Sequence, residues 1–222
     1  MDYSPLWISL KVALIAILFT FVLGILAARL MLRARKLRYI CDCIFSLPLV
    51  LPPTVVGFFL LIIFGKNSWI GQFLEQIGIP VIFHWSGAVI ASVVVSFPIM
   101  YRTTLSAMEQ VDENYIYAAR TLGMSEEAIF RKIILPISYP GIIAATILAF
   151  ARALGEFGAT MMIAGNIPGR TRTMSIAIYT AVNAGNRELA YTWVGIVMAI
   201  SFLSILCMNL WNDVNARRFQ KH

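Results

Sequence analysis

The sequence predicts an all-α integral membrane protein with about five transmembrane helices. Three observations carry that expectation. Of its 222 residues, 59% are hydrophobic and only 13% are charged, whereas soluble domains run at roughly 45–50% apolar and about 25% charged. Five apolar runs approach bilayer-spanning length, and the basic residues gather at alternate ends of those runs. Residues 1–222 are read as a single transmembrane domain, because five spans of about 20 residues and their connections consume the chain.

The first span is expected over about 6–28. Its start, Met1-Asp2-Tyr3, is acidic and aromatic, and no small-residue cleavage site precedes Arg29, so the run reads as a retained helix rather than a signal peptide. Lys11 lies near enough to its end to snorkel. The second span, about 44–64, has no charge but holds Pro48, Pro52 and Pro53. Proline removes a backbone donor, so a kinked helix packed against neighbours is expected. The third span covers about 86–106, the fourth about 137–164 with Arg152 and Glu156 inside it, and the fifth about 190–211. No internal repeat supports a carrier built from two similar halves.

Charge placement orients the set. Twelve basic residues (Arg29, Arg33, Arg35, Lys36, Arg38, Arg102, Arg120, Arg131, Lys132, Arg217, Arg218, Lys221) fall on one side, and four (Lys66, Arg170, Arg172, Arg187) on the other. Short cytoplasmic loops are enriched in Lys and Arg, which predicts an external N-terminus and a cytoplasmic C-terminus. The net charge of +7 is thereby explained by the membrane, with no nucleic-acid partner. Cys41, Cys43 and Cys207 are odd in number and lie in or beside apolar runs, so they read as membrane thiols rather than a disulfide or metal framework.

The cytoplasmic connection, about 107–136, is polar yet patterned for helix. Asp112 and Glu113 suit a helix start, Tyr115 to Leu122 a helix, and Gly123 its left-handed end. Ser125 starts a second helix with Glu126 and Glu127 in its first turn and Arg131 and Lys132 in its last, and Pro136 marks the return to the membrane. Two short helices about a glycine turn make a knob suited to a groove on another protein, with Ala118 and Ala119 permitting close approach. An ordinary amphipathic connector would have the same pattern.

The run Tyr117-Ala118-Ala119, three residues, Gly123, nine residues, Ile133, one residue, Leu135-Pro136 resembles the signature of bacterial ABC-importer permeases, usually written E-A-A, three residues, G, nine residues, I-x-L-P. The resemblance implies a type I ABC importer permease fold. It also implies that Tyr117, Ala118, Ala119, Gly123, Ile133, Leu135 and Pro136 belong to a coupling helix that docks into a cleft of the ATP-hydrolysing subunit. Tyr117 departs from the family's glutamate, so any salt bridge of that carboxylate is absent or supplied by another residue, such as Glu113.

Within the fourth span, Arg152 and Glu156 are four residues apart and can neutralise each other on one helical face. The pair fits either a structural lock between helices or a contact to an anionic substrate, and Gly155 and Gly158 let a neighbouring backbone come close. Next comes Gly165-Asn166-Ile167-Pro168-Gly169-Arg170-Thr171-Arg172-Thr173, a turn, and then Met174 to Ala184, apolar at helical spacing but too short to span. Residues 165–189 are therefore expected to form an outer gating segment. The Arg-Ala-Leu-Gly-Glu-Phe-Gly-Ala string from Arg152, this loop, the later Ile178-Tyr179-Thr180, and Pro48-Leu49-Val50-Leu51-Pro52-Pro53-Thr54 look like the permease subunit of molybdate importers. The likeness covers nearly the whole chain; sulfate, thiosulfate and tungstate permeases share much of it.

The sequence holds no Gly-rich phosphate loop ending in Gly-Lys-Ser or Gly-Lys-Thr, so energy is expected from a partner. The resemblance implies a homodimer of this chain, cytoplasmic ATPase subunits that hold the ATP and magnesium, and an external oxyanion-binding protein, all at a bacterial or archaeal cytoplasmic membrane. No cofactor, metal or catalytic residue is expected in this chain itself. A membrane enzyme would need a His cluster or a carboxylate or Ser/His constellation, and His84 and His222 stand apart. A secondary carrier or channel, with Arg152 and Glu156 as an ion relay, is the alternative of another class, and would transport without ATP.

Overall fold

The computed structural model describes residues 2–33 and 38–219, with side chains to residue 210. Arg35, Lys36 and Lys221 of the cytoplasmic basic set lie outside the described residues, as do the side chains of Arg217 and Arg218. The described chain consists of helices and connecting turns: α1 Ser4–Arg33, α2 Arg38–Val50, α3 Pro53–Phe64, α4 Trp69–Gln76, α5 Trp85–Glu109, α6 Glu113–Thr121, α7 Glu126–Ile129, a π-helical turn Phe130–Ile134, α8 Leu135–Leu154, α9 Gly158–Ile163, α10 Met174–Asn183 and α11 Arg187–Phe219. Ser4–Arg33, Trp85–Glu109, Glu126–Leu154 and Arg187–Leu210 are long and apolar enough to cross a membrane, and α2 with α3 makes a fifth, bent candidate.

Three elements differ from the sequence reading in physically explicable ways. The second span is a helix pair bent by 111° rather than one kinked helix, because Pro52 and Pro53 end α2 and start α3, where a missing donor is harmless. Pro48 is accommodated inside α2. The docking connection does not end at Pro136, since α7, the π-helical turn and α8 run on as Glu126–Leu154. The wider turn, in which the Leu135 N–H reaches the Phe130 carbonyl, shifts the hydrogen-bond register just before Pro136, which has no donor to contribute. The fourth span in turn breaks after Leu154, and α9 resumes at Gly158.

Small residues bring the long helices together, as membrane helices require where no water drives their association. On α1, Ala13, Ala16, Ala27 and Ala28 are buried, as are Ala88 and Ala91 on α5. A Cβ at Gly24 would stand 2.5 Å from Met100 Cγ, and the buried hydroxyls of Thr20 and Ser96 meet across the same interface at 3.2 Å. The bent pair is tied in differently. A Cβ at Gly57 of α3 would lie 2.7 Å from Met162 Cβ and 2.8 Å from Ala159 Cα of α9, and one at Gly158 would lie 2.9 Å from Pro53 Cβ. Gly57→Leu is therefore expected to force α3 and α9 apart and to cost about 1–3 kcal/mol, read as a lower unfolding temperature in detergent. An unchanged transition would mean that the two helices do not pack this closely. α11 touches the bundle through buried Ala190 and Trp193 and leaves Met198, Phe202 and Leu203 exposed.

Candidate functional site

The knob anticipated between the third and fourth spans is built by local capping. The Asp112 carboxylate accepts from the Asn114 N–H at 2.9 Å and starts α6. At its end the Gly123 N–H bonds to the Arg120 carbonyl at 2.9 Å and the Met124 N–H to the Ala119 carbonyl at 3.1 Å. These are the paired bonds of a Schellman turn, and Gly123 takes the left-handed φ of 75° that the turn needs. The Ser125 hydroxyl accepts from the Ala128 N–H at 3.3 Å to open α7, and Arg120 grips Glu126 with two hydrogen bonds of 2.7 and 3.1 Å across the turn.

The knob has one anchored face and one open face. Ala119 is buried, whereas Tyr115, Tyr117 and Leu122 are 60%, 54% and 82% exposed and Ala118 is also exposed. Tyr115, Ala118 and Leu122 share one side at helical spacing, an apolar strip that the described residues leave exposed. The Tyr117 hydroxyl donates to Glu113 Oε2 at 3.0 Å, so a carboxylate does stand beside position 117, one turn earlier on α6. Ile133 and Leu135 are half-buried in the π-helical turn and the start of α8, and Pro136 is exposed. They stand in the stem that leads from the knob, apart from the exposed strip of α6.

Sequence reasoning missed what fixes the knob to the bundle. Arg29 of α1 pairs with Glu127 and lies 4.4 Å over the Phe130 ring, and Glu127 also receives Arg131 at 2.6 Å. Arg38 pairs with Glu109, and Arg102 holds Asp42 at 3.2 Å and Ser46 at 2.6 Å, with the Tyr101 hydroxyl donating to the same Asp42 at 3.0 Å. Ion pairs thus join α1 to the knob and, separately, α2 to α5. Only the gathering of Arg, Asp and Glu at one end of these helices hints at such pairing in the sequence.

Arg152 and Glu156 do meet, at 2.8 Å, with side chains 30% and 1% exposed. Glu156 does more than neutralise: its Oε1 accepts the Ala159 N–H at 2.8 Å and so caps α9, which explains why the helix breaks here. Beyond α9, the loop from Gly165 is tied by hydrogen bonds. The Ile167 N–H bonds to the buried Thr171 hydroxyl at 3.0 Å, Arg172 donates to Asn166 Oδ1 at 2.7 Å, and the Met174 N–H reaches Ser9 of α1 at 2.8 Å. Arg170 is left exposed. Burial lowers the pKa of the His84 imidazole below its usual value, with Arg170 and Lys11 adding to the effect. Among the described residues no group of three or more His, Cys, Asp or Glu side chains could hold a metal ion.

Comparison with known proteins bears on this arrangement. A family model described as "Binding-protein-dependent transport system inner membrane component" matches residues 20–221. The molybdenum transport system permease protein ModB of Escherichia coli (strain K12) is 43% identical over 208 residues, covering 92% of this chain and 91% of the relative. The sulfate transport system permease protein CysT of Salmonella typhimurium is 35% identical over 216 residues, covering 97% and 78%. Among solved structures, a chain of the MetNI methionine ABC transporter in an inward-facing conformation superposes with a TM-score of 0.76 at 19% identity, covering 95% of this chain and 94% of that one, a likeness of fold.

Proposed function

The chain belongs to the family of binding-protein-dependent inner-membrane transport components, as a non-catalytic permease subunit of the molybdate and sulfate type coupled to an ATPase, and from that premise we propose that its cargo is molybdate. The observation that carries the choice is the gradation of likeness: 43% identity to a molybdenum permease against 35% to a sulfate permease. Sulfate, thiosulfate and tungstate are the competing oxyanions. Uptake of labelled molybdate by cells dependent on this chain tests the choice. Excess unlabelled molybdate should abolish it and equal sulfate should leave most of it; sulfate competing equally well would reassign the cargo.

In this proposal two copies of the chain line the path, the α6 knob docks through Tyr117, Ala118, Ala119 and Gly123 into the ATPase, and Ile133, Leu135 and Pro136 form the stem that carries its motion to α8. ATP and magnesium reside in the ATPase, and an external protein delivers the oxyanion. The cycle is a two-state equilibrium: ATP closes the ATPase pair, the knobs move with it, and the helices open outward. The exposed strip of Tyr115, Ala118 and Leu122 supports the docking role, and Arg29 with Glu127 gives the knob a lever on α1.

The same proposal places the N-terminus outside, the knob in the cytoplasm, and the 165–189 segment with α10 outside as a gate. Single cysteines at Arg33 and Arg170, in a background without Cys41, Cys43 and Cys207, check the orientation with a membrane-impermeant thiol reagent on intact cells. Labelling is expected at 170 and absent at 33; labelling of both from outside would contradict the topology.

A further inference from the structure

The short helix α4 sits at the far end of α3 from the knob and is pressed directly onto it. A Cβ at Gly71 would stand 2.2 Å from the Gly65 carbonyl oxygen and 2.6 Å from that of Phe64, so glycine is what lets α4 lie across the last turn of α3. The helix is two-sided: Trp69, Phe73 and Ile77 follow at four-residue spacing, and Gln72, Glu75 and Gln76 occupy the other side. Its apolar edge is not turned into the protein. Trp69 is 80% exposed, Phe73 60% and Ile77 53%, and Ile79 and Phe83 beside them are exposed too. Between α4, the end of α3 and Phe83 runs a groove of about 850 Å³, lined mainly by Leu61, Ile62, Ile70 and Ile82, with Lys66 among its few polar members.

We propose that this groove holds a membrane phospholipid, its acyl chain along α3 and α4 and its headgroup phosphate at Lys66. The groove is continuous with the exposed apolar surface of α3, where Phe58, Phe59 and Ile62 are each more than half exposed, the surface that a membrane-embedded chain presents to lipid. Lys66 has no acidic partner among the described residues, so its ammonium complements a phosphate. An amphipathic helix with an indole at its edge, polar residues towards water and apolar residues beneath, fits the headgroup boundary of a bilayer. Strain marks the groove's far wall: Phe83 is the one non-glycine residue with positive φ among those described, at 55°, and its N–H is held by the Ile163 carbonyl at 3.0 Å.

The test uses the full chain assembled with its ATPase in lipid nanodiscs, reading Trp69 as the difference between the native chain and Trp69→Phe. Phospholipid brominated on its acyl chains should quench at least half of that difference signal, and aqueous iodide little of it. Quenching by iodide but not by brominated lipid would place Trp69 in water, and quenching by neither would mean that protein, a second copy or the external binding protein, covers the groove; either result overturns the proposal. Lys66→Gln should retain phospholipid about fivefold less tightly in native mass spectrometry, the effect of one basic charge near a headgroup. The loss should be equal for phosphatidylglycerol and phosphatidylethanolamine, which share the phosphate. Unchanged retention would overturn the headgroup placement.

Discussion

Gly123→Trp is expected to release the ATPase from the membrane complex and abolish uptake while leaving the chain itself folded. The reason lies in what surrounds the residue. A Cβ at Gly123 meets nothing within 4 Å, so a side chain starts into open space and its cost in the folded chain is that of the left-handed backbone, about 1–2 kcal/mol; equal yields of folded permease check this for each variant. Alanine and tryptophan carry that same cost. Any further loss on going from Gly123→Ala to Gly123→Trp must come from a surface outside the chain. Co-purification of the ATPase should fall modestly for the alanine variant and below detection for the tryptophan variant, with equal yields of folded permease. Equal retention by both would mean that the turn does not face the ATPase.

The second large effect is expected at Arg152. Its removal strands the Glu156 carboxylate, only 1% exposed, inside the bundle at the break between α8 and α9, and breaking such a pair from one side costs roughly 3–5 kcal/mol. Arg152→Ala should therefore lower the yield of assembled complex severely. The reverse change, Glu156→Gln, leaves an arginine that is 30% exposed rather than buried, and it keeps an oxygen to cap α9, so it should be milder. The double change Arg152→Met with Glu156→Gln should recover much of the yield by removing both charges. If Arg152→Ala instead assembles normally and only raises the half-saturation concentration for molybdate, the arginine is a cargo contact and the pair is not a structural lock.

The parts of this molecule that the sequence made legible are those set by neighbours along the chain. Asp112, Gly123 and Ser125 each do in the structure what their types and spacing suggest, because capping is decided within a few residues. That the chain forms four to five long apolar helical segments was legible from apolar length, though the helices run further than the apolar runs: α1 reaches Arg33, α5 reaches Glu109 and α11 begins at Arg187. At position 117 the tyrosine hydroxyl donates to Glu113, a hydrogen bond rather than the salt bridge that a glutamate there could make.

What sequence could not supply is structure made by distant or shared groups. The break after Leu154 depends on Glu156 turning its carboxylate onto the Ala159 N–H, in a string that otherwise reads as continuous helix. The passage from α7 into α8 depends on a π-helical turn that gives Pro136 a place, where proline alone suggests a fresh start. Arg29 and Glu127 are separated by 98 residues, and no spacing rule relates them. α4 was hidden because Gly65, Asn67, Ser68 and Gly78 give its surroundings the look of a loop.

The central claim is that this chain moves its cargo only when a separate ATPase, gripping the α6 knob, drives it. Proteoliposomes holding the purified chain, its ATPase and the loaded external binding protein test that most directly, by accumulation of labelled molybdate with and without ATP at the ATPase face. Accumulation that requires both ATP and the ATPase, and that Gly123→Trp eliminates, is the predicted result. Accumulation by the chain alone, driven by an ion gradient and unaffected by ATP or by Gly123→Trp, would contradict the account and make the protein a carrier.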